Sequence, residues 1–144
     1  MDKIIDCDNF EDLRKKLKKE KNEKLVRAKD FIFNRKLLES GGFDVLVFPS
    51  VFPSRKSLKK IDCGFNYYTA RLAKEKEISV GLDLSIFRGL TKNEKSSKME
   101  EMISVLERCK KARVFVRIIG YKDKLNAFDL ANSLGIPTNL VKIF

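Results

Sequence analysis

The sequence contains no histidine and no tryptophan, and it has only three cysteines. Without histidine, Ser-His-Asp triads and histidine-ligated metal hydrolase centres are excluded. Cys7, Cys63 and Cys109 lie far apart in the chain, and none belongs to a C-x-x-C pair. We therefore predict reduced, buried thiols and expect neither a zinc site nor another metal or cofactor.

Long apolar runs and nucleotide-binding motifs are also missing. No segment approaches the roughly 18 apolar residues that a membrane-spanning helix needs. The first ten residues, MDKIIDCDNF, are partly acidic and lack the apolar stretch of a secretory signal, so we expect a cytoplasmic protein without membrane contact. No G-x-G-x-x-G follows a predicted strand and no G-x-x-x-x-G-K-[ST] occurs, so neither a dinucleotide site nor a P-loop is indicated.

Positive charge is what the chain has in excess. Lysine and arginine total 31 against 20 acidic residues, a net charge of +11 over 144 residues. This balance favours a polyanionic partner, most often nucleic acid, although a uniformly lysine-rich proteome would produce it as well. With 43% hydrophobic residues, the chain is long enough for one globular domain over 1–144.

Apolar segments alternate with helical patterns along the chain. The predicted strands are 3–7, 25–28, 44–48, 78–84, 113–119 and 140–144, and five helices lie between them. Strict alternation predicts an α/β fold with right-handed crossovers and a parallel sheet. Six strands are too few for an eight-stranded barrel, so the sheet is expected to be open or the barrel incomplete.

Capping residues and helical spacing suggest where the helices begin and which faces they bury. Four helix caps are predicted: Asp8 with Glu11, Asp30, Thr91 with Glu94, and Asp123. The spacing of apolar residues predicts two core stripes, which are Phe65, Tyr68 and Leu72 in one helix and Met99, Met102, Ile103 and Leu106 in the next. The run RKKLKKEKNEK in the first helix is either a solvated face or a nucleic-acid contact.

Basic and aromatic residues gather where strands are predicted to end. Ligands of parallel sheets meet the loops beyond the carboxyl ends of the strands. Residues 50–60 are predicted to form such a loop, and they carry four cations: Arg55, Lys56, Lys59 and Lys60. Together with Arg88 and Tyr67 they predict one rim where cations pair with phosphates and a tyrosine stacks on a base, unless the charges are simply solvated.

Three aspartates leave open a different class of function. Asp6, Asp8 and Asp83 lie near the ends of predicted strands, and their carboxylates could hold a magnesium ion. A metal-dependent phosphoesterase on a related barrel is therefore the alternative hypothesis. Against it, Asp8 can be a helix cap and Asp83 a polar group facing the interior of a barrel.

Three segments in order resemble a known family. They are NRKLLESGGFDVLVFPS at 34–50, DCGFNYYTARLAKEKEISVGLDLS at 62–85 and DLANSLGI at 129–136. Together they resemble protein component 3 of ribonuclease P, the barrel subunit of the archaeal and eukaryal enzyme. The resemblance implies a TIM-barrel-like fold and a subunit without an active site, which assists the catalytic RNA in removing 5′ leaders from precursor tRNA. It also implies two partners, the ribonuclease P RNA and a component 2-type protein, with precursor tRNA contacted indirectly.

The resemblance also implies where RNA is bound. The family's basic residue in the loop ahead of the third helix is matched by Lys60 or by Arg55, and the one late in that helix by Lys76. On the helix before, Arg35 or Lys36 takes the equivalent place, and Lys95 does so on the helix that follows. Family members are commonly longer, so the N-terminal part is expected to be short by one or more βα units. The family's Arg-x-Pro-x-Asp-Leu segment is LNAFDL here, with Lys124 as the candidate replacement for its arginine.

Overall fold

Six short strands form one parallel sheet in a computed structural model of the chain. The structure describes residues 4–7, 9–48, 55–56, 61–62, 65–119, 129, 132–133 and 135–142. The sheet strands are β1 (Ile4–Ile5), β2 (Leu25–Arg27), β3 (Val45–Phe48), β6 (Ser79–Asp83), β7 (Val116–Ile119) and β8 (Val141–Lys142), paired in that order. The predicted α/β fold with a parallel, partial barrel-like sheet is confirmed.

Four helices connect these strands within the described residues. They are α1 (Phe10–Lys19), α2 (Phe31–Ser40), α3 (Tyr67–Glu75) and α4 (Lys92–Ala112). No described helix is long and apolar enough to cross a bilayer. Each strand lies beside the previous sheet strand in the chain, so the sheet is wound in one direction, as in a barrel.

The single direction of winding puts the helices on one face of the sheet. Buried residues of all four helices share one core cluster with alternate strand residues such as Leu46, Val80 and Ile118. The remaining strand residues face the opposite, concave side, where Leu25, Val45, Val47 and Ile119 form a second cluster. This concave side corresponds to the interior of a barrel.

Short-range signals fix several helix ends as predicted. Asp30 accepts a hydrogen bond from Phe33 N at 2.8 Å and caps α2, and Gly41, with a φ of 67°, ends that helix in a conformation that favours glycine. Thr91 caps α4 by accepting a bond from Glu94 N at 3.3 Å.

At α1 the predicted cap was wrong, because the helix begins at Phe10 and its cap is Asn9, which accepts a hydrogen bond from Glu11 N. Asp8 lies outside the described residues, as does the predicted cap Asp123.

Both predicted helical core stripes need correction. In the first stripe Phe65 is buried and Leu72 packs against the core as predicted, but Tyr68 is 53% exposed. The residues that α3 buries are Thr69, Ala70 and Ala73. Met99 and Ile103 are exposed as well, while α4 buries Met102 and Leu106 together with three residues outside the predicted stripe: Glu101, Val105 and Cys109. In α3 and α4 the buried face is therefore rotated from the predicted one.

The segment predicted as a loop over 50–60 contains a strand. Arg55–Lys56 forms β4, which pairs antiparallel with β5 (Ile61–Asp62) in a separate two-stranded sheet. β4 is Arg55–Lys56 and β5 has Ile61 as its one apolar residue, so no apolar run predicts either strand. Of the cysteines, Cys109 is a buried thiol outside any disulfide and Cys7 a half-buried one, while Cys63 is outside the described residues.

Candidate nucleic-acid interface

One group of predicted contact residues lies at the carboxyl ends of the strands. Arg55 and Lys56 form β4, in the connection that follows β3, and the paired strand β5 contacts α4. Arg88 and Lys95 belong to the connection that follows β6 and to the first turns of α4, and both are exposed. These four residues, the upper group, therefore share the end of the sheet where parallel α/β folds bind ligands.

A chain of local hydrogen bonds sets the path that leads to Arg88. At the end of β6, Asp83 accepts from Ser85 N at 3.0 Å and from Ser85 Oγ at 2.6 Å, which starts a 3-10 helix over Leu84–Phe87. Arg88 caps this helix by donating its backbone N–H to Ser85 O at 3.2 Å. The connection then reaches Thr91 and the N-terminus of α4, which carries a partial positive charge. An exposed arginine and a helix N-terminus thus lie within four residues of each other.

A second group of predicted contact residues lies away from this end. Arg35 and Lys36 are on α2, where Arg35 Nε is 3.7 Å from Glu39 Oε1 on the next helical turn. Lys76 is the C-cap of α3 and lies beside the C-cap of α2, since a β-carbon at Gly41 would be 3.8 Å from Lys76 Cδ. Both helix ends directly precede sheet strands, so Lys76 is at the amino ends of the strands. We call Arg35, Lys36 and Lys76 the lower group.

The described members of the predicted rim, which are Arg55, Lys56, Arg88 and Tyr67 at the start of α3, follow the carboxyl ends of strands, whereas the full set of ten predicted contact residues is spread over two regions. Seven divide between the upper and lower groups, and Lys59, Lys60 and Lys124 lie outside the described residues. The resemblance matches residues by their order in the sequence. That order does not indicate at which end of the strands a residue lies, so the matched residues come from both regions.

The concave face holds a buried ion pair. Arg27 Nη2 on β2 donates to Asp83 Oδ2 on β6 at 2.8 Å, and the two side chains are 12% and 4% exposed. Burial raises the pKa of Asp83, but hydrogen bonds from Ser85 and Arg27 and the charge of Arg27 outweigh it and hold the pKa below its ordinary value. Asp83 is therefore an ionised polar group facing the barrel interior, one of the two interpretations of its sequence position.

The two described aspartates of the metal hypothesis bind different cations. Asp6 Oδ1 accepts from Lys29 Nζ at 2.7 Å, whereas Asp83 pairs with Arg27. Strands β2 and β3 lie between β1, which Asp6 follows, and β6, which Asp83 ends. Among the described residues, no group of three or more histidine, cysteine, aspartate or glutamate side chains could hold a metal ion. The geometry gives the magnesium site no support.

Sequence reasoning partly missed an exposed aromatic and basic surface on α3. Tyr67 is half exposed, as predicted, but Arg71 Cζ lies 6.0 Å from its ring centroid. One helical turn further, Lys74 Nζ lies 5.4 Å from the ring centroid of Phe115. The i, i+4, i+7 spacing of Tyr67, Arg71 and Lys74 is the sequence signal for this surface, whereas a stripe that contains Tyr68 predicts a different exposed face.

Comparison with known proteins finds a similar fold rather than a related sequence. No family model and no curated protein matches the sequence. The fold is similar to that of a chain in a cryo-EM structure of archaeal ribonuclease P with mature tRNA, with a TM-score of 0.74 and 21% sequence identity. The match covers 95% of this chain and 61% of the matched chain, so this chain spans less than two thirds of the length of that ribonuclease P chain.

Proposed function

We propose that this chain is a protein subunit of ribonuclease P that assists the catalytic RNA in removing 5′ leaders from precursor tRNA. The observation that carries the proposal is the similarity of fold over 95% of the chain to a chain of an archaeal ribonuclease P structure. The net charge of +11 favours binding to a polyanion such as RNA. In this proposal the chain has no active site of its own and binds both the large RNA and a component 2-type protein.

Reconstitution tests the proposed activity. The RNA is assayed for cleavage of precursor tRNA at moderate magnesium, with the component 2-type protein and with or without the full chain. We expect the complete mixture to process precursor faster, because cations of the protein offset repulsion between RNA phosphates. Unchanged processing in the presence of the chain would contradict the proposal. Phosphoester hydrolysis by the chain alone, abolished by Asp83→Asn, would instead establish the alternative enzyme.

The salt dependence of RNA binding identifies the contact residues. A cation that pairs with a phosphate releases counterions, so its loss should reduce the slope of log K against log salt by about 0.7 to 0.9. We expect Arg88→Gln and Lys95→Gln in the upper group to do so, with Arg88→Lys and Lys95→Arg as controls that retain the charge. Lys76→Gln tests the lower group in the same assay. A slope that no glutamine variant changes would remove these residues from the interface.

A further inference from the structure

Tyr67, Arg71, Lys74 and Phe115 form a line of two cations with an aromatic ring at each end, which we call the α3 stripe. The first three residues lie at i, i+4 and i+7, so they share one face of α3 over about 10 Å. Tyr67 is 50% and Phe115 37% exposed, and the side chains of Arg71 and Lys74 are exposed as well. The stripe therefore places two rings and two cations together on the surface.

The distances within the stripe are those of cation–π pairs. Arg71 Cζ is 6.0 Å from the ring centroid of Tyr67, and Lys74 Nζ is 5.4 Å from that of Phe115. Neither cation forms an ion pair with a carboxylate in the described part of the chain. Each charge lies over a ring and remains accessible to a phosphate.

The start of α3 holds the stripe in place. Asn66 N donates to Thr69 Oγ1 and Thr69 N donates to Asn66 Oδ1, both at 2.9 Å, so a capping box makes Tyr67 the first helical residue. Away from the stripe, Thr69, Ala70 and Ala73 are fully buried. Since the helix is fixed at its cap and along its buried face, the rings are presented on a rigid element, which lowers the entropy lost on binding.

We propose that the α3 stripe binds an unpaired segment of RNA, with bases stacked on Tyr67 and Phe115 and phosphates paired with Arg71 and Lys74. Bases within a duplex cannot offer their faces to side chains, whereas splayed bases stack on aromatic rings and leave phosphates for nearby cations. Lys74 and the net charge of +11 favour RNA over a protein partner, because lysine is depleted in protein–protein interfaces and a cationic protein attracts a polyanion. This inference rests on the proposed function and adds the class of RNA that α3 recognises.

Binding of short RNAs to the full chain tests the inference. The probes are a fluorescent single-stranded oligoadenylate and a hairpin duplex of equal charge, measured by anisotropy over a series of salt concentrations. Tyr67→Leu and Phe115→Leu keep an apolar side chain but lose the ring. We expect each to weaken single-strand binding about five- to hundredfold while leaving the salt slope unchanged. Arg71→Gln should lower that slope by about 0.7.

Two controls separate stacking from loss of folding. Tyr67→Phe retains the ring and should bind like the unmodified protein, and Ile32→Ala removes an apolar side chain that is 58% exposed on α2. Thermal unfolding checks that each variant is folded. If Phe115→Leu proves unstable, the pair Tyr67→Leu and Tyr67→Phe still decides the outcome.

The possible failures are distinguishable. Equal binding of the single strand by Tyr67→Leu and by the unmodified protein would overturn the stacking site while leaving assisted tRNA processing intact. Loss of component 2 binding without loss of RNA binding would make the stripe a protein interface and overturn the inference as well. Failure of the unmodified chain to bind RNA and to assist processing would overturn both the stacking site and the proposed function.

Discussion

Arg27 on β2 and Asp83 on β6 form an ion pair across the intervening strand β3, with Nη2 2.8 Å from Oδ2. The two residues are 56 positions apart in the chain and lie on the concave face of the sheet. Asp83 also accepts two hydrogen bonds from Ser85, so one carboxylate links the interior of the sheet to the turn that leads to Arg88. The stability of the sheet and the geometry of the upper group therefore depend on the same side chain.

Replacement of Asp83 should destabilise the fold strongly. Asp83→Ala removes the carboxylate from a buried ion pair, a type of change that costs about 3 to 5 kcal/mol. Urea denaturation followed by circular dichroism measures the change in the free energy of unfolding. The double variant Arg27→Met, Asp83→Ala should lose less than the sum of the two single changes, because it leaves no charge of the pair behind. Strict additivity would show that the two side chains do not interact.

The depressed pKa of Asp83 makes stability depend on pH. Its ordinary value is 3.8, and the folded protein holds it lower, so the folded state binds the proton less readily than the unfolded state. The Arg27–Asp83 pair therefore stabilises the fold fully above the ordinary pKa of Asp83. This stabilisation is lost as pH falls through the lower pKa of the folded state. Between about pH 6 and pH 3, the unmodified protein should lose more unfolding free energy than Asp83→Asn. Equal losses would mean that other carboxylates cause the acid sensitivity.

Gly81 has no room for a side chain. A β-carbon there would lie 2.8 Å from Ile119 Cδ1 and 2.9 Å from Val45 Cγ1 on the concave face. We expect Gly81→Ala to cost about 1 to 3 kcal/mol through overpacking, measured as a shift of the urea midpoint. Ile119→Val removes the nearer of the two methyl groups, so the alanine should cost less in that background. The same cost in both backgrounds would contradict this packing.

The sequence could predict the strands of the six-stranded sheet and several helix ends because these depend on neighbouring residues. Asp30 and Thr91 cap the helices as expected, and the apolar runs 44–48 and 78–84 contain strands β3 and β6. Such signals are local, since a cap or a strand is specified within a few positions.

The helical faces and the arrangement of the candidate site could not be predicted in this way. Which face α3 buries depends on its neighbours α2 and α4, and these make Ala70 and Ala73 the buried residues instead of Tyr68. The separation of Lys76 from Arg88 depends on the direction in which the chain crosses the sheet, and Arg27 meets Asp83 only once three strands have paired. Long-range relationships of this kind leave no pattern in a single sequence.

Asn34 should be required for the structure that follows β2. It is fully buried, accepts a hydrogen bond from Lys29 N at 2.8 Å and donates one to Lys29 O at 3.1 Å. These bonds hold the backbone of Lys29, whose Nζ reaches Asp6 at 2.7 Å. Asn34→Leu fills a similar volume but removes both bonds, and each buried polar group left unsatisfied costs about 1 to 3 kcal/mol.

Asn34→Asp is the matched variant for this site. An ionised aspartate can still accept from Lys29 N, but it cannot donate to Lys29 O, so it loses one of the two bonds. We therefore expect the leucine variant to unfold at lower urea than the unmodified protein, and amide hydrogen exchange at Lys29 to be faster in it. Exchange at Lys29 should remain slower in Asn34→Asp than in Asn34→Leu, because the aspartate keeps the bond to that N–H. Equal exchange in all three proteins would show that Asn34 does not hold this backbone in place.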